Sequence, residues 1–454
     1  MDSTKKFIYV RSMNYTRLAL AEPQAEIRSS TIAKVAVAAG IGSLIDWYDF
    51  FFAATAASLV WDVLYFKFLS RPAAVGAAIA TYAITFFLRP VGAYIFGHFG
   101  DKLGRRNVLV YTLITVGVSV LGIAVTPGYL QIGIAAPILI IIFRAVFGLG
   151  MGGEFGGAQA WITEFVGNRR WRGFWNGLVF ASNPLGVLLA SAAFVVALSS
   201  TGQGFFTWGW RIPFGIGFVA VVVGALIRFK LRESPMFTIL RQKQEVVRSP
   251  ANEALKKYWK RIVTLAFVPA PAVASGVMVM QGPYTVAYGV SVHVTPMQIT
   301  TGVAFGAIGG LAGILLASPI SDVIGRRPVG IIGAVLTTVT SWLAFPLIRT
   351  ANIPLIILAL GFASFARQFI NGVFPALLPE QFPTRYRYSA SGLAFQIGAL
   401  IAALGAGVVF PAILAKVGVV DAWMYAALIV TVLCALAIIS LLITKESSKT
   451  PLEQ

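Results

Sequence analysis

Six charged side chains interrupt the long apolar stretches of this chain, and they are the residues best placed to do chemistry. Three are acidic and three are basic: Asp46, Asp49, Glu154, Arg89, Arg144 and Arg367. If the stretches cross a membrane, each charge costs about 2.5–3.5 kcal/mol at the bilayer centre, so pairing or hydration is required. At about 1.5 Å per helical residue, Asp46 and Arg89 both lie ~18 Å from the nearest polar boundary. Their side chains can therefore meet near mid-membrane.

The two aspartates suggest proton exchange. Asp46 and Asp49 stand three residues apart, which places both carboxylates on a similar helical face. Beside an arginine, one carboxylate can remain ionised while its neighbour binds and releases a proton. We expect Asp49 to exchange the proton and Asp46 to be the fixed partner of Arg89, and the reverse assignment fits the spacing equally well. The alternative is a permanent scaffold of all three that holds the first two spans together.

Arg367 is the first candidate for binding an anionic ligand, with Arg144 as a second. The two lie in opposite halves of the chain, and a buried guanidinium can grip a carboxylate through two parallel hydrogen bonds. In a closed core, Arg367 would instead pair with Glu154 or with a backbone carbonyl. Other polar side chains that could line a shared cavity, or bond between helices, are Gln281, Tyr284, Asn183, Gln368 and Asn371.

The elements that must position these residues are membrane-spanning helices. Of the 454 residues, 57% are hydrophobic and 12% are charged, and this charged share is about half that of a soluble domain. Apolar runs of about twenty residues are long enough to cross the hydrocarbon. Twelve spans are predicted, roughly at 35–60, 74–97, 108–126, 133–159, 173–198, 210–231, 262–288, 299–321, 328–348, 354–377, 389–412 and 422–444.

The fold class predicted is therefore all-α and polytopic, with two six-helix bundles. The predicted divisions are a cytoplasmic tail (1–31), an N-terminal bundle (32–231), a linker loop (232–260), a C-terminal bundle (261–445) and a second tail (446–454). Residues 1–31 lack the order of basic start, short apolar stretch and cleavage site, which favours a retained tail over a signal peptide.

The formal charge of +19 indicates orientation in the membrane rather than nucleic-acid binding. Assigning Lys and Arg to alternate sides of the twelve spans leaves 28 on the side with both termini, five on the other side and three inside spans. Such an asymmetry places both termini in the cytoplasm, in a plasma or inner membrane. We expect the lipid bilayer, and no nucleic acid, as the partner of these charges.

A charged signature occurs twice. Gly97-His-Phe-Gly-Asp101-Lys-Leu-Gly104-Arg105-Arg106 returns 221 residues later as Ser318-Pro-Ile-Ser-Asp322-Val-Ile-Gly325-Arg326-Arg327. Each copy ends one span and begins the next, which indicates a duplicated membrane domain. The glycines allow a tight turn, and the aspartate can cap a helix or accept from an arginine. Natural partners for the two loops are Glu164 and Glu380, which precede basic residues including Arg385.

The first copy resembles the signature loop of the major facilitator superfamily. Further segments are similar to its metabolite:proton symporter family: Asp46-Trp-Tyr-Asp49-Phe50, Leu88-Arg89-Pro90-Val-Gly92, Gly152-Gly-Glu154-Phe-Gly-Gly157, Trp210-Arg211-Ile-Pro213-Phe214, Arg232-Glu233-Ser-Pro235-Met-Phe237 and Pro379-Glu380-Gln-Phe382-Pro383-Thr-Arg385-Tyr-Arg387-Tyr388. They cover nearly the whole length in the expected order. One departure is Ser318, where the second loop of the family usually has glycine.

This resemblance implies the major facilitator fold and a symporter that moves a small metabolite, such as an organic acid, with protons by alternating access. It implies that the repeated loops latch the halves together in the outward-open state. It also implies that Arg144, which begins Arg144-x-x-x-Gly148-x-x-x-Gly152, takes part in proton coupling with Asp46, Asp49, Arg89 and Glu154. A monomer without cofactors is expected. The alternative is a proton-independent uniporter or a sugar transporter of the same superfamily.

Other classes are less compatible with the sequence. It has no Gly-x-x-x-x-Gly-Lys-Ser/Thr phosphate loop for a pump and no His-Glu-x-x-His pair for an intramembrane metalloenzyme. Two scattered histidines predict no metal site, and the single cysteine, Cys434, excludes an internal disulfide. A channel is harder to exclude, but two similar halves around a charged centre favour a carrier over an enzyme or a channel.

Overall fold

A computed structural model describes residues 28–280 and 283–453. The first half contains six long helical elements. They are α1 (Ser29–Ala56), α2 (Arg71–Leu103), α3 (Arg105–Val125), α4 (Ala135–Val166), α5 (Arg172–Phe180, continued as Ser182–Thr201) and α6 (Arg211–Phe229). Shorter pieces are Ala57–Trp61, Asp62–Leu64, Tyr129–Ile132 and Gly202–Phe206.

The second half repeats this order. Its long elements are α7 (Pro250–Ala266, continued as Ala270–Ser275), α8 (Pro296–Ile324), α9 (Arg326–Arg349), α10 (Ile353–Glu380), α11 (Arg387–Leu404) and α12 (Trp423–Ile443). Shorter pieces are Pro235–Gln242, Gly276–Met280, Pro283–Ser291, Thr384–Tyr386, Gly405–Val409 and Phe410–Val417. The segment 232–260, predicted as a linker loop, thus contains one short helix and the first eleven residues of α7.

Length and composition fit a polytopic membrane protein with twelve spans. Among the described residues, ten helices are long and apolar enough to cross a membrane, and α7 with the helical segment after it forms an eleventh, bent span. The 33-residue α2 completes the set. The helices extend beyond the predicted spans because their polar ends do not register as hydropathy. The predicted all-α, twelve-span fold is confirmed.

Glycines bring α2 and α4 into direct backbone contact. A β-carbon added at Gly148 would lie 2.7 Å from the carbonyl oxygen of Thr85, and one at Gly152 would lie 2.2 Å from that of Arg89. No larger residue fits at that separation, so the prediction that these glycines permit close helix packing is confirmed. The contact places the charged side chains of α2 and α4 beside α1.

Two lateral seams join the halves. Along one seam α2 packs against α11, and along the other α5 packs against α8. The repeated loops turn at Gly104 and Gly325, whose φ angles of +109° and +116° suit glycine. Asp101 and Asp322 lie just before these glycines, and we call their end of the bundle the latch end.

Candidate functional site

Asp49 is the aspartate of α1 that forms an ion pair. Its Oδ2 accepts a hydrogen bond from Nη2 of Arg144 on α4 at 2.6 Å, and both side chains are buried. The guanidinium of Arg144 also lies over the ring of Phe147, 4.4 Å from its centroid. The structure therefore joins Asp49 and Arg144, two residues that the sequence predicted separately.

Asp46 is buried, yet neither of its carboxylate oxygens has a hydrogen-bond partner within the described part of the chain. The charged groups within electrostatic range are Glu154, Arg228, Asp49 and Arg89. A buried carboxylate without a donor is stable only when neutral or hydrated. The structure thus leaves Asp46, rather than Asp49, without a direct partner.

Arg89 does not form the predicted hydrogen bond with Asp46. Its Nη2 lies 2.8 Å from the sulfur of Met151, and its guanidinium lies 4.5 Å and 4.6 Å from the ring centroids of Phe50 and Phe86. Aromatic faces attract a buried guanidinium through their quadrupoles. Neither carboxylate oxygen of Asp46 has a hydrogen-bond partner among the described residues, so the predicted hydrogen-bonded pair is wrong in this structure.

Arg228 is a buried partner that the sequence did not reveal. It pairs with Glu154 through both outer nitrogens, with Nη1 2.8 Å from Oε2. The same guanidinium donates to the carbonyl oxygens of Ala38, Ala39 and Leu109. Arg228 had been counted with the cytoplasmic charges because it lies in the last turn of α6, close to the basic linker. Because Glu154 is engaged by Arg228, the alternative that Arg367 pairs with Glu154 is wrong.

Arg367 on α10 is buried, with 5% of its surface exposed. Its Nε and Nη2 have no hydrogen-bond partner among residues 28–280 and 283–453. The backbone of Gly276 approaches closely, since a β-carbon added there would lie 3.1 Å from Nη1. The residue therefore keeps two donor groups available on one guanidinium.

Polar side chains beside Arg367 bridge the two halves. Nε2 of Gln368 donates to Oδ1 of Asn183 on α5 at 3.2 Å, and Nδ2 of Asn371 donates to Oε1 of the same Gln368 side chain. Asn183 and Asn371 thus belong to the neighbourhood predicted for them. Tyr284 instead donates its hydroxyl to the carbonyl of Val419 at 3.0 Å, which gives it a structural contact. Gln281 lies outside the described residues.

Four phenylalanines form an apolar layer between these polar groups and the latch end, which we call the aromatic floor. They come from α4, α5, α10 and α11: Phe155, Phe180, Phe374 and Phe395. All six pairs of ring centroids lie between 4.0 and 6.2 Å apart. The floor draws two rings from each half, so it closes the bundle between the Arg367 neighbourhood and the latch end.

At the latch end, Asp101 binds the start of α11 in the other half. It accepts hydrogen bonds from the backbone N–H of Tyr388 at 3.1 Å and of Ser389 at 2.9 Å, and from the Ser389 hydroxyl at 2.7 Å. Carboxylates are favoured at a helix N-terminus. Arg105 connects Asp101 to Glu164 at 3.1 and 3.0 Å. The first loop therefore bridges the halves.

The second loop makes the same arrangement in reverse. Asp322 accepts from the backbone N–H of Gly173 at 2.8 Å and of Phe174 at 2.9 Å, at the start of α5. Arg326 connects Asp322 to Glu380, both at 2.9 Å. The two halves thus cap each other's helices.

Two buried arginines complete the latch, and the sequence had treated both as loop charges. Arg387 of α11 pairs with Glu164 of α4 at 3.0 Å, and Arg172 of α5 pairs with Glu380 of α10 at 3.0 Å. Each of these ion pairs joins the N-terminal half to the C-terminal half. Both lie in the first turn of an apolar helix, a position whose sequence context is the same for a buried and an exposed arginine.

Three predicted latch residues have other partners. Arg385 pairs with Glu245 at 2.8 Å on the exposed surface. Arg106 and Arg327 donate to the carbonyl oxygens of Leu231 and Leu442, which follow α6 and end α12 of their own halves. Arg106 and Arg327 are therefore corrected from latch residues to anchors within one half, because the carbonyl groups that they reach belong to their own halves.

Family comparisons agree with this architecture. Residues 35–264 match the family described as sugar (and other) transporter, and residues 274–454 match the major facilitator superfamily. The inner membrane metabolite transport protein YhjE of Escherichia coli K12 is 32% identical over 438 residues, 91% of this chain and 94% of the relative. The proline/betaine transporter of the same organism is 30% identical, covering 83% and 77%.

Solved structures share the fold. The proton:xylose symporter XylE bound to 6-bromo-6-deoxy-D-glucose superposes with a TM-score of 0.72 at 18% identity, covering 93% of this chain and 98% of the other. Its inward-open conformation, from E. coli, gives 0.61 over the same shares. By its sequence relatives, its two matched families and its twelve spans, this chain is a multi-pass membrane transporter, not an enzyme, and belongs to the major facilitator superfamily.

Proposed function

We propose that this protein is a symporter that imports a small carboxylate together with a proton by alternating access. The observation that carries the proposal is the buried guanidinium of Arg367, which keeps Nε and Nη2 without a partner in the described residues. A desolvated charge is costly unless it is paired. A carboxylate offers two acceptors with the spacing of that guanidinium edge, so it is the ligand class that fits.

Asp46 supplies the proton site in this proposal. Asp49 is already held by Arg144, whereas Asp46 has no hydrogen-bond donor among the described residues. A proton on Asp46 removes one negative charge from a cluster that also contains Glu154, Arg228, Asp49 and Arg89. Neutralising a buried, unpaired carboxylate lowers the cost of closing the bundle around it. Asp49, Arg89, Arg144 and Glu154 then act as the charged frame of the site.

Alternating access follows from the position of the barriers. We assign the latch end to the cytoplasm, with both termini there, on the distribution of Lys and Arg. The aromatic floor and the latch then close the cytoplasmic side, and the ligand reaches Arg367 from outside. When the proton and the carboxylate are bound, the halves rock, the latch separates and both ligands leave inward. We place the protein in the plasma membrane as a monomer.

The names of the relatives agree with a carboxylate ligand. They include a proline/betaine transporter and, at 28% identity, a shikimate transporter of E. coli. Proline, betaine and shikimate differ in size and charge, but each carries a carboxylate group. The common requirement is one anchor for that group, which is the role proposed for Arg367.

Uptake by proteoliposomes tests the proposal. Ligands would first be chosen by a thermal-shift screen of small carboxylates, amino acids and sugars. An inside-alkaline pH gradient should drive uphill uptake of the selected carboxylate by the wild type. Arg367→Gln should abolish binding, while Arg367→Lys should retain weak binding without the bidentate contact.

The proton site has its own comparison. Asp46→Asn should still bind the carboxylate and exchange it between the two sides, but should lose accumulation driven by the gradient. Gradient-driven accumulation by Asp46→Asn would refute the assignment of the proton to Asp46. Equilibration by the wild type without any response to the gradient would identify a uniporter, and a sugar as the sole stabilising ligand would refute the carboxylate.

A further inference from the structure

The segment that follows α12, residues 445–453, lies against both halves at the latch end, and we call it the tail segment. Its beginning is attached to the C-terminal half. Glu446 accepts from the backbone N–H groups of Arg326 and Arg327, both at 2.9 Å, and the Ser447 hydroxyl donates to Glu380 at 2.6 Å. These contacts fix the position at which the tail segment leaves α12.

The middle of the tail segment crosses to the N-terminal half. Nη2 of Arg172, at the start of α5, donates to the carbonyl oxygens of Ser447, Ser448 and Thr450 at 2.7, 3.1 and 2.9 Å. Farther along, the backbone N–H of Leu452 donates to Oδ1 of Asn168 at 2.8 Å. The Leu452 side chain is 6% exposed, so this crossing buries an apolar group as well.

The last described residue returns to the C-terminal half. The carbonyl oxygen of Glu453 accepts from Nη2 of Arg387 at 2.8 Å and from the backbone N–H of Thr384 at 3.2 Å. The tail segment therefore passes across the seam and back, like a staple. Its two arginine partners, Arg172 and Arg387, are the ones that hold the latch through Glu380 and Glu164.

These contacts need both halves in their present relation. Asn168 and Arg172 belong to the N-terminal half, while Glu380, Thr384 and Arg387 belong to the C-terminal half. If the latch end separates, the tail segment can follow only one half, and the donors of the other half lose their carbonyl acceptors. Its binding energy therefore favours the closed latch end over the open one, because a contact biases only the state in which it forms.

We propose that residues 445–453 are a conformational strap that stabilises the state closed at the latch end and is released when that end opens. The strap adds hydrogen bonds of its own to the ion pairs and the helix caps of the repeated loops, and it shares Arg326 and Glu380 with the second loop. Its action depends on neither the identity of the ligand nor the coupling to protons, so it can be tested independently of the proposed function.

The first test measures the opening of the latch end directly. Spin labels on Lys102→Cys at the end of α2 and Lys257→Cys on α7 report the distance between halves, in the full chain with Cys434→Ala. Leu452→Asp places a charge in the buried contact of the strap, and a chain ending at Ser448 lacks the crossing altogether. Lys449→Ala is the matched control, because that side chain is exposed.

Both strap variants should raise the ratio of open to closed distances by about tenfold, the size expected from losing roughly two net hydrogen bonds. Lys449→Ala should leave the distances unchanged. If Leu452→Asp keeps the wild-type distribution while its thermal unfolding shows a folded protein, the strap is refuted. Asn168→Ala removes one contact of the strap while leaving the sequence of the tail segment unchanged. It should shift the distance distribution in the same direction by a smaller amount, and it serves as a check in case the other variants fold poorly.

The second test asks whether opening releases the strap. Trypsin cleavage after Lys449 requires the backbone on both sides of that residue to leave its partners. Asp101→Asn, which weakens the latch at the opposite seam, should speed this cleavage several-fold relative to wild type, whereas Asp421→Asn, an exposed change at the other end, should not. If the spin labels show that Asp101→Asn opens the latch end but its cleavage rate equals that of the wild type, the proposal that opening releases the strap is refuted.

Discussion

Replacing Asp101 with asparagine should shift the protein toward the state open at the latch end. Oδ2 of Asp101 accepts two hydrogen bonds from Ser389, one from the backbone N–H at 2.9 Å and one from the hydroxyl at 2.7 Å. Oδ1 accepts a third bond, from the backbone N–H of Tyr388 at 3.1 Å. Asparagine keeps one acceptor oxygen and turns the other position into a donor, so the Tyr388 bond is lost when the oxygen stays on Ser389, and the two Ser389 bonds weaken because their acceptor is no longer ionised. Arg105, which pairs with Asp101, also donates across the seam to the carbonyl oxygen of Thr384, and that contact does not use the Asp101 carboxylate.

The size of the shift follows from the contacts that cross the seam. Hydrogen bonds to an ionised acceptor contribute about 1.5–3 kcal/mol each and neutral ones about 0.5–1.5 kcal/mol, so one bond lost at the lower limit and two weakened by roughly 0.75 kcal/mol each give about 3 kcal/mol. Since 1.4 kcal/mol is a factor of about ten, the ratio of open to closed molecules should rise by roughly 100-fold. Asp322→Asn loses one of its two backbone bonds and weakens the other, about 2 kcal/mol in all, which predicts a rise of roughly 30-fold.

Spin-label distances between positions 102 and 257 measure this ratio in detergent or nanodiscs. Asp421→Asn removes an equal charge at an exposed site away from the seams and should not change the distances. An unchanged distribution in a folded Asp101→Asn protein would refute the reasoning that the carboxylate holds α11. A shift in Asp421→Asn of the same size would show that net charge, rather than the cap, sets the equilibrium.

Three further outcomes are expected. Gly42→Ala should destabilise the protein by about 1–3 kcal/mol in thermal unfolding, because the added carbon would lie 1.9 Å from Nη2 of Arg228; Gly40→Ala, with its nearest contact at 3.9 Å, should be nearly neutral. Burial raises the pKa of Glu446, but backbone hydrogen bonds outweigh it and the pKa lies below its usual value. The ionised Glu446 therefore stabilises the fold above the pKa that the group has in the unfolded chain, and this stabilisation is lost on acidification. Below about pH 4.3, the melting temperature should fall further in the wild type than in Glu446→Gln. Phe395→Ala should lower the free energy of unfolding by about 3–5 kcal/mol and leave a gap in the aromatic floor. The gap should be detectable as faster labelling, by a thiol reagent added from the latch end, of a cysteine placed on the Arg367 side of the floor.

The sequence could predict the latch because the same chemistry is written twice. Asp101 and Asp322, with the glycine and arginine after each, recur at one offset, and two independent copies distinguish a functional pattern from scattered loop charges. Their acidic partners, Glu164 and Glu380, were identified for the same reason. The helix caps that the aspartates make depend on the docking of the halves, which no local pattern contains.

Buried arginines near helix ends could not be recognised in the same way. An arginine in the first or last turn of an apolar helix, such as Arg172, Arg228 or Arg387, has the same sequence context whether it faces water or the interior. Its long side chain can reach either environment. The positive charges at the latch end were therefore counted as orientation signals, although these three are buried.

The pairing of Asp49, rather than Asp46, with an arginine has a geometric cause. Three residues turn a helix by about 300°, so the two carboxylates point about 60° apart. That difference decides which of them meets Arg144, and it depends on the rotation of α1 against α4. Hydropathy fixes the existence of the spans but leaves such rotations undetermined.

The aromatic floor consists of rings alone and is a single side chain thick. Separating four phenylalanine rings breaks no hydrogen bond between them and exposes no ion, so an opening of the floor would have almost no electrostatic cost of its own. Any electrostatic resistance to such an opening therefore comes from the ion pairs and helix caps of the latch end, and a mutated ring would weaken the barrier without touching those contacts.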